Sequence, residues 1–122
     1  MTERPRILVV EDEPLVAEIV AAALEDVYPT TVVDTAEKAM AQLRPGGFRL
    51  MLLDCTLPDG SEVDLLPEAD RVGTAVILMS GDPGRMARLT DRPRPFLLKP
   101  FSLGGLLDAV ETVLASTTSG TA

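Results

Sequence analysis

The chain contains no histidine among its 122 residues. Imidazole is therefore unavailable as a nucleophile's base, as a metal ligand or as a carrier of a phosphoryl group. Any chemistry falls to carboxylates, hydroxyls, lysine or a thiol. There is one cysteine, Cys55, so no internal disulfide can form and no zinc-ligand spacing exists. Aromatic residues make up 3% of the chain, which demands an aliphatic core and withholds the stacking platforms used on single-stranded nucleic acid. Positive charge is also short: 11 Lys and Arg stand against 19 Asp and Glu, a net charge of −8. Direct binding to DNA or RNA is not expected of such a surface. No apolar run is long enough to span a bilayer, and "MTERPR" lacks the apolar core of a signal peptide. These absences lead us to expect a reducing, cytoplasmic setting, with no membrane partner.

What is present is an ordinary globular balance, 46% hydrophobic and 25% charged. The length suits one domain, expected over residues 1–116, with 117–122, "TTSGTA", as a flexible tail. Strand and helix signals alternate. Apolar runs at 6–11, 30–34, 48–54, 75–81 and around "RPFLLKP" read as five strands. Between the first two, Leu15, Val16, Ile19, Val20, Ala23, Leu24 and Val27 recur at helical spacing, with Pro14 suited to the first turn. Thr35 is placed to cap a helix facing inward through Ala36, Ala39, Met40 and Leu43, which "RPGG" stops. A weaker helix is expected around 62–70, broken or bent at Pro67, and a short one over 84–91. Ser102 should cap a last helix with Leu103, Leu106, Leu107, Val110, Val113 and Leu114 inward. Near-continuous apolar strands belong to parallel sheets covered on both faces, so the expected fold is a doubly wound α/β domain with a five-stranded parallel sheet and helices on both sides.

Such sheets place their sites at the carboxyl ends of the strands. The first strand ends in Glu11 and Asp12, the third in Asp54, the fourth in Ser80 and the fifth in Lys99. Singly, each is weak: acids at strand ends are usually solvated, a serine is usually a turn, a lysine is usually surface. Together they are specific. Three converging carboxylates repel one another, and a hard cation with a taste for oxygen, Mg²⁺, relieves this. One carboxylate can then attack phosphorus, and an ammonium and a hydroxyl can hold the phosphoryl oxygens. Lysine is rare here, only Lys38 and Lys99 against nine arginines, so a compact ammonium at that strand end stands out.

The motifs "VVEDE" at 9–13, "LLDCTLPDG" at 52–60, "ILMSGD" at 77–82 and "FLLKPF" at 96–101 resemble those of response regulator receiver domains of two-component signalling, over essentially residues 5–115. The resemblance implies the flavodoxin-like strand order 2-1-3-4-5. It implies that Asp54 accepts the phosphoryl group, that Asp12 and Asp54 ligate Mg²⁺ with Glu11 acting through or beside water, and that the Thr56 carbonyl completes the protein ligands. Lys99 and Ser80 would hold the phosphoryl group, Ser80 triggering the switch. Phe96 takes the aromatic switch position, either swinging between exposed and buried or staying permanently buried, and the Lys99–Pro100 bond would be cis. Asp82, two residues past Ser80, would modulate attack of water on the acyl phosphate, or else is a solvated loop acid. Glu13 reads as a helix-start acid, Cys55 as a small core residue and Asp59-Gly60 as a turn.

Departures gather late in the chain. The stretch from Ser80 to Lys99 is about one helical turn short for the family, with prolines at 83, 93 and 95 and another just after it at 100. Residues 84–99 carry Arg85, Arg88, Arg92, Arg94 and Lys99 against Asp91, a net +4 in a chain whose remainder sums to −12. This basic stretch is either an arginine-coated loop or a dock for an acidic partner. Gly104-Gly105 weaken the start of the last helix.

The expected function is a phosphoacceptor module fed by a sensor histidine kinase or phosphotransfer protein, switching a downstream protein partner through residues 84–101. A stand-alone regulator is favoured over a receiver excised from a larger hybrid kinase or regulator. It is a signalling protein with slow autodephosphorylation, not an enzyme. A Mg²⁺-dependent phosphohydrolase is the alternative from another class, but such enzymes carry a second acid two residues past the nucleophile, where Thr56 stands. A phosphorylation-independent interaction domain would have no need of the complete acid, serine and lysine set.

Overall fold

The computed structural model describes residues 4–57, 62–84, 87 and 93–119, with side chains at all of these but 62, 63 and 117–119. The expected turn at Asp59-Gly60, most of the expected helix at 84–91, and Arg85, Arg88, Asp91 and Arg92 lie outside the described residues.

Five strands form one parallel sheet: β1 (Arg6–Val10), β2 (Thr30–Val33), β3 (Phe48–Asp54), β4 (Ala75–Ser80) and β5 (Phe96–Leu98). Their order is β2-β1-β3-β4-β5, every pair parallel, as expected. The described helices are α1 (Pro14–Glu25), α2 (Ala36–Leu43), α3 (Glu62–Val72) and α4 (Leu103–Ser119).

Strand pleating divides the core in two. Leu8, Val10, Met51, Leu53, Val76 and Leu78 point to one face and pack with Ala36, Ala39 and Leu43 of α2 and Leu65, Leu66 and Ala69 of α3. Ile7, Val9, Leu50, Leu52, Ile77 and Met79 point to the other and pack with Val20 and Leu24 of α1 and Leu106, Val110 and Leu114 of α4. Continuous apolar runs in β1, β3 and β4 are what two covered faces require.

Helix termini follow their local signals. Thr35 accepts from the Lys38 amide at 3.1 Å, and Ser102 from the Gly105 amide at 2.9 Å. Pro14 opens α1. Gly46, at φ 79°, ends α2 with its amide on the Leu43 carbonyl, a backbone that glycine adopts without strain.

Along α1, Leu15 is 74% exposed and Ile19 about half so: the helix is apolar nearly all round, so spacing gives no contrast between faces. Two expectations are corrected. Leu103 is exposed because it opens α4, above the packed turns. The helix α3 runs unbroken through Pro67, which is exposed. The bond it removes would reach the carbonyl at 63 in the opening turn, where water can substitute. The last helix, α4, runs to Ser119.

Beneath the strand openings, buried Thr74 donates its hydroxyl to the Phe48 carbonyl at 2.8 Å, joining the starts of β4 and β3. Thr74→Val keeps the shape and strands that carbonyl. Urea denaturation should show a loss of about 1–2 kcal/mol.

Candidate functional site

The carboxyl ends of β1 and β3 meet at the centre of the sheet, where Val10 pairs with Leu53. Each strand therefore delivers its terminal acid to one spot. Glu11, Asp12 and Asp54 bring carboxylate oxygens within 4.8 Å of one another. Glu11 and Asp54 are fully buried and Asp12 is half-buried. On the other flank β5 pairs with β4 up to Ser80, and the Lys99 amide donates to the Ser80 carbonyl at 2.9 Å. This anchoring sends Lys99 Nζ inward, 2.8 Å from Glu11 Oε1 and 3.6 Å from Asp54 Oδ1. Lys38, the other lysine, is spent on a surface pair with Asp34. The Lys99–Pro100 bond is cis.

The two oxygens of Asp54 have different surroundings. Oδ1 accepts from the Thr56 amide at 3.1 Å and the Thr56 hydroxyl at 2.8 Å. Oδ2 is buried without a hydrogen-bond partner, alone in this among the described side-chain atoms. Glu11 Oε2 accepts from the Glu13 amide at 3.2 Å. Glu13 itself is exposed, at the residue before α1.

These placements shift the acids apart. Burial, then sharing with Asp54, pushes the Glu11 carboxyl up from 4.5 to about 7, against the pull of Lys99. Burial and the neighbouring Asp54 raise Asp12 as well. Burial also opposes ionisation of Asp54, but sharing with Glu11, the hydrogen bonds from Thr56 and the Lys99 charge outweigh it and hold this carboxyl below its ordinary value. Burial likewise pulls Lys99 down, yet Glu11 and Asp54 keep it above the ordinary lysine range.

The sequence-predicted residues Glu11, Asp12, Asp54, Thr56 and Lys99 come together. Ser80 is fully buried at the adjoining strand end, but its hydroxyl is engaged with the Asp82 backbone, accepting from the amide at 2.9 Å and donating to the carbonyl at 3.3 Å. The Asp82 carboxylate accepts from the Gly84 amide. Phe96 is 55% exposed, so permanent burial does not describe it. Cys55 is buried in the core as expected. Sequence reasoning missed the Glu11–Lys99 pair and the Thr56 hydroxyl on Asp54. A threonine two residues past a strand-end acid is a readable signal for the second; nothing local signals the first.

The residues present fit a Mg²⁺ ion. Three hard oxygen donors converge, two of them buried, and Asp54 Oδ2 lacks any partner of its own.

Comparison with known proteins agrees. The pattern of the response regulator receiver domain matches residues 7–111. The chain is 36% identical over 107 residues to the transcriptional regulatory protein TcrA of Mycobacterium tuberculosis, covering 83% of this chain and 42% of that protein. It is 34% identical over 113 residues to the swarming motility regulation protein RssB of Serratia marcescens, covering 88% and 52%. The chain thus spans about half the length of these curated relatives. Among solved structures, the signal receiver domain of a putative Luxo repressor protein from Vibrio parahaemolyticus superposes with a TM-score of 0.82 at 27% identity, covering 97% of this chain and 95% of that one. Strand order, acid cluster and family pattern converge: this chain belongs to the response regulator receiver domains of two-component signalling.

Proposed function

We propose that the chain is a phosphoacceptor switch in which Asp54 Oδ2 takes the phosphoryl group. The observation that carries this is the asymmetry of Asp54: Oδ1 is occupied by Thr56, while Oδ2 is buried, unpartnered and part of a carboxylate held anionic. An Oδ2–P bond forms as the donor's P–N or P–O bond breaks, and the leaving imidazole or carboxylate carries the electron pair away. The donor histidine belongs to a histidine kinase or phosphotransfer protein, since this chain has none. Asp12, Asp54 and the Thr56 carbonyl would hold Mg²⁺, Glu11 acting through or beside water; the ion supplies charge neutralisation on the phosphoryl oxygens.

Lys99 then exchanges its carboxylate partners for a phosphoryl oxygen, and Ser80 exchanges the Asp82 backbone for another. The second exchange releases the segment after β4, which is the proposed route to a partner surface over residues 84–101. Asp82 is proposed to tune attack of water on the acyl phosphate. The receiver unit is proposed to lose its phosphoryl group slowly by self-dephosphorylation. Among the described residues no helix is long and apolar enough to cross a membrane.

Incubation with acetyl phosphate and Mg²⁺ should attach one phosphoryl group that hydroxylamine removes, as acyl phosphates require. Chelation should prevent it. Steady turnover of a phosphomonoester, with no stable label, would instead indicate a phosphohydrolase.

A further inference from the structure

The strand that carries Lys99 is weakly held by its own side chains. β5 has three residues at the edge of the sheet. Phe96 and Leu98 are about half exposed, and only Leu97 packs on the core, in part. Prolines at 93, 95 and 100 remove three amide donors around it. Its main-chain bonds at the two ends are Leu78 amide to Pro95 carbonyl and Lys99 amide to Ser80 carbonyl, both 2.9 Å. Yet Lys99 Nζ must be kept at a desolvated point between two carboxylates.

A second anchor lies just upstream. The Arg94 guanidinium grips Asp70 with both arms, Nη1 to Oδ1 at 3.2 Å and Nη2 to Oδ2 at 2.9 Å, with the Arg94 side chain only 8% exposed. Asp70 sits on α3 beside Ala69, which is buried in the core together with Leu65 and Leu66. The fork therefore ties the entry of β5 to a helix packed firmly on the sheet. Two parallel charge-assisted bonds fix orientation as well as distance, which a lysine in place of Arg94 would not do.

We propose that Arg94 and Asp70 are positioning residues for Lys99: their clamp sets where β5 enters the sheet and hence where Nζ arrives five residues later. The pair touches neither phosphate nor metal. It acts through β5, whereas the acids stand at the end of β3 and just past the end of β1. The proposal rests on the phosphoacceptor reading above.

The test uses the full chain, below the onset of melting, with acetyl phosphate as donor. Arg94→Gln and Asp70→Asn should each slow labelling at saturating donor roughly ten-fold, a fraction of what an ångström of misplacement can cost. Their Mg²⁺ affinity, by calorimetry, should not fall below that of the wild type, because moving the Lys99 ammonium away from Glu11 and Asp54 does not weaken a cation site. Arg94→Lys should fall between, and the exchanged pair Arg94→Asp with Asp70→Arg should recover most of the rate. Wild-type labelling rates in the single variants would overturn the clamp. So would Mg²⁺ affinity falling in step with rate, since that marks general loosening. A wild-type chain that takes no label would overturn the phosphoacceptor reading first, and the clamp with it.

Discussion

Asp54→Asn is expected to take up no phosphoryl group from acetyl phosphate while folding as the wild type does. Asparagine has the shape of aspartate, and its carbonyl oxygen can occupy the Oδ1 position and keep both bonds from Thr56. Its nitrogen then stands where Oδ2 was. An amide nitrogen offers no lone pair to phosphorus, so the loss of labelling should be complete rather than partial. The lost anion should also weaken Mg²⁺ binding, because one of three convergent charges is gone. Mass spectrometry of the intact chain measures the first effect and calorimetry the second. Circular dichroism matching the wild type guards against misfolding. Hydroxylamine-labile label on the variant would place the acceptor on another residue.

The second large effect concerns pH. In chelator, the chain should lose stability as pH rises from about 5 to 8, by about 3 kcal/mol at most. Glu11 has an ordinary value of 4.5 and is raised to about 7 when folded, chiefly by burial. Between these two values the folded state keeps a proton that the unfolded state has released. Unfolding is therefore favoured as pH climbs through that window. Asp12, also raised, acts in the same direction. Asp54 is lowered, so its contribution is lost only in acid, below its own ordinary value of 3.8. Lys99 is raised from 10.5 and contributes above the window. Mg²⁺ at the upper pH should restore stability by mass action, and Glu11→Gln should flatten the slope. Urea denaturation across pH checks both. A level profile for the wild type in chelator would contradict the burial argument for Glu11.

Much of this was legible in the sequence because the fold and the site share one logic. Strands β1, β3 and β4 are covered on both faces, so they are written as near-continuous apolar runs, broken only near their starts, as at Arg49, and the polar residue that ends each run lies at the sheet's carboxyl edge. Reading those terminal residues amounts to reading the site. The helices were less transparent. In α1, Leu15 and Ile19 are as apolar as Val20 and Leu24, yet only the latter pair is buried; periodicity marks a face only where the other face is polar. Contacts across long separations left no local trace. The Glu11–Lys99 pair spans 88 residues and the Arg94–Asp70 pair 24, and each depends on how the strands are ordered in space. The Ser80 hydroxyl was assigned a role toward phosphate, and the structure adds what it holds otherwise, the Asp82 backbone.

The order in which the site's strands leave the ribosome differs from their order in the sheet. The acids are in hand once residue 54 is made, but Lys99 is translated 45 residues later, a delay of several seconds at roughly 5–20 residues per second. Until then the nascent chain can gather negative charge at its centre with no ammonium to offset it, and β4 has no neighbour on its outer side. Parallel sheets close late in any case, because each pairing spans a crossover. Closure and charge balance therefore coincide: a chain stalled or truncated before β5 would present an electrostatically frustrated core to chaperones.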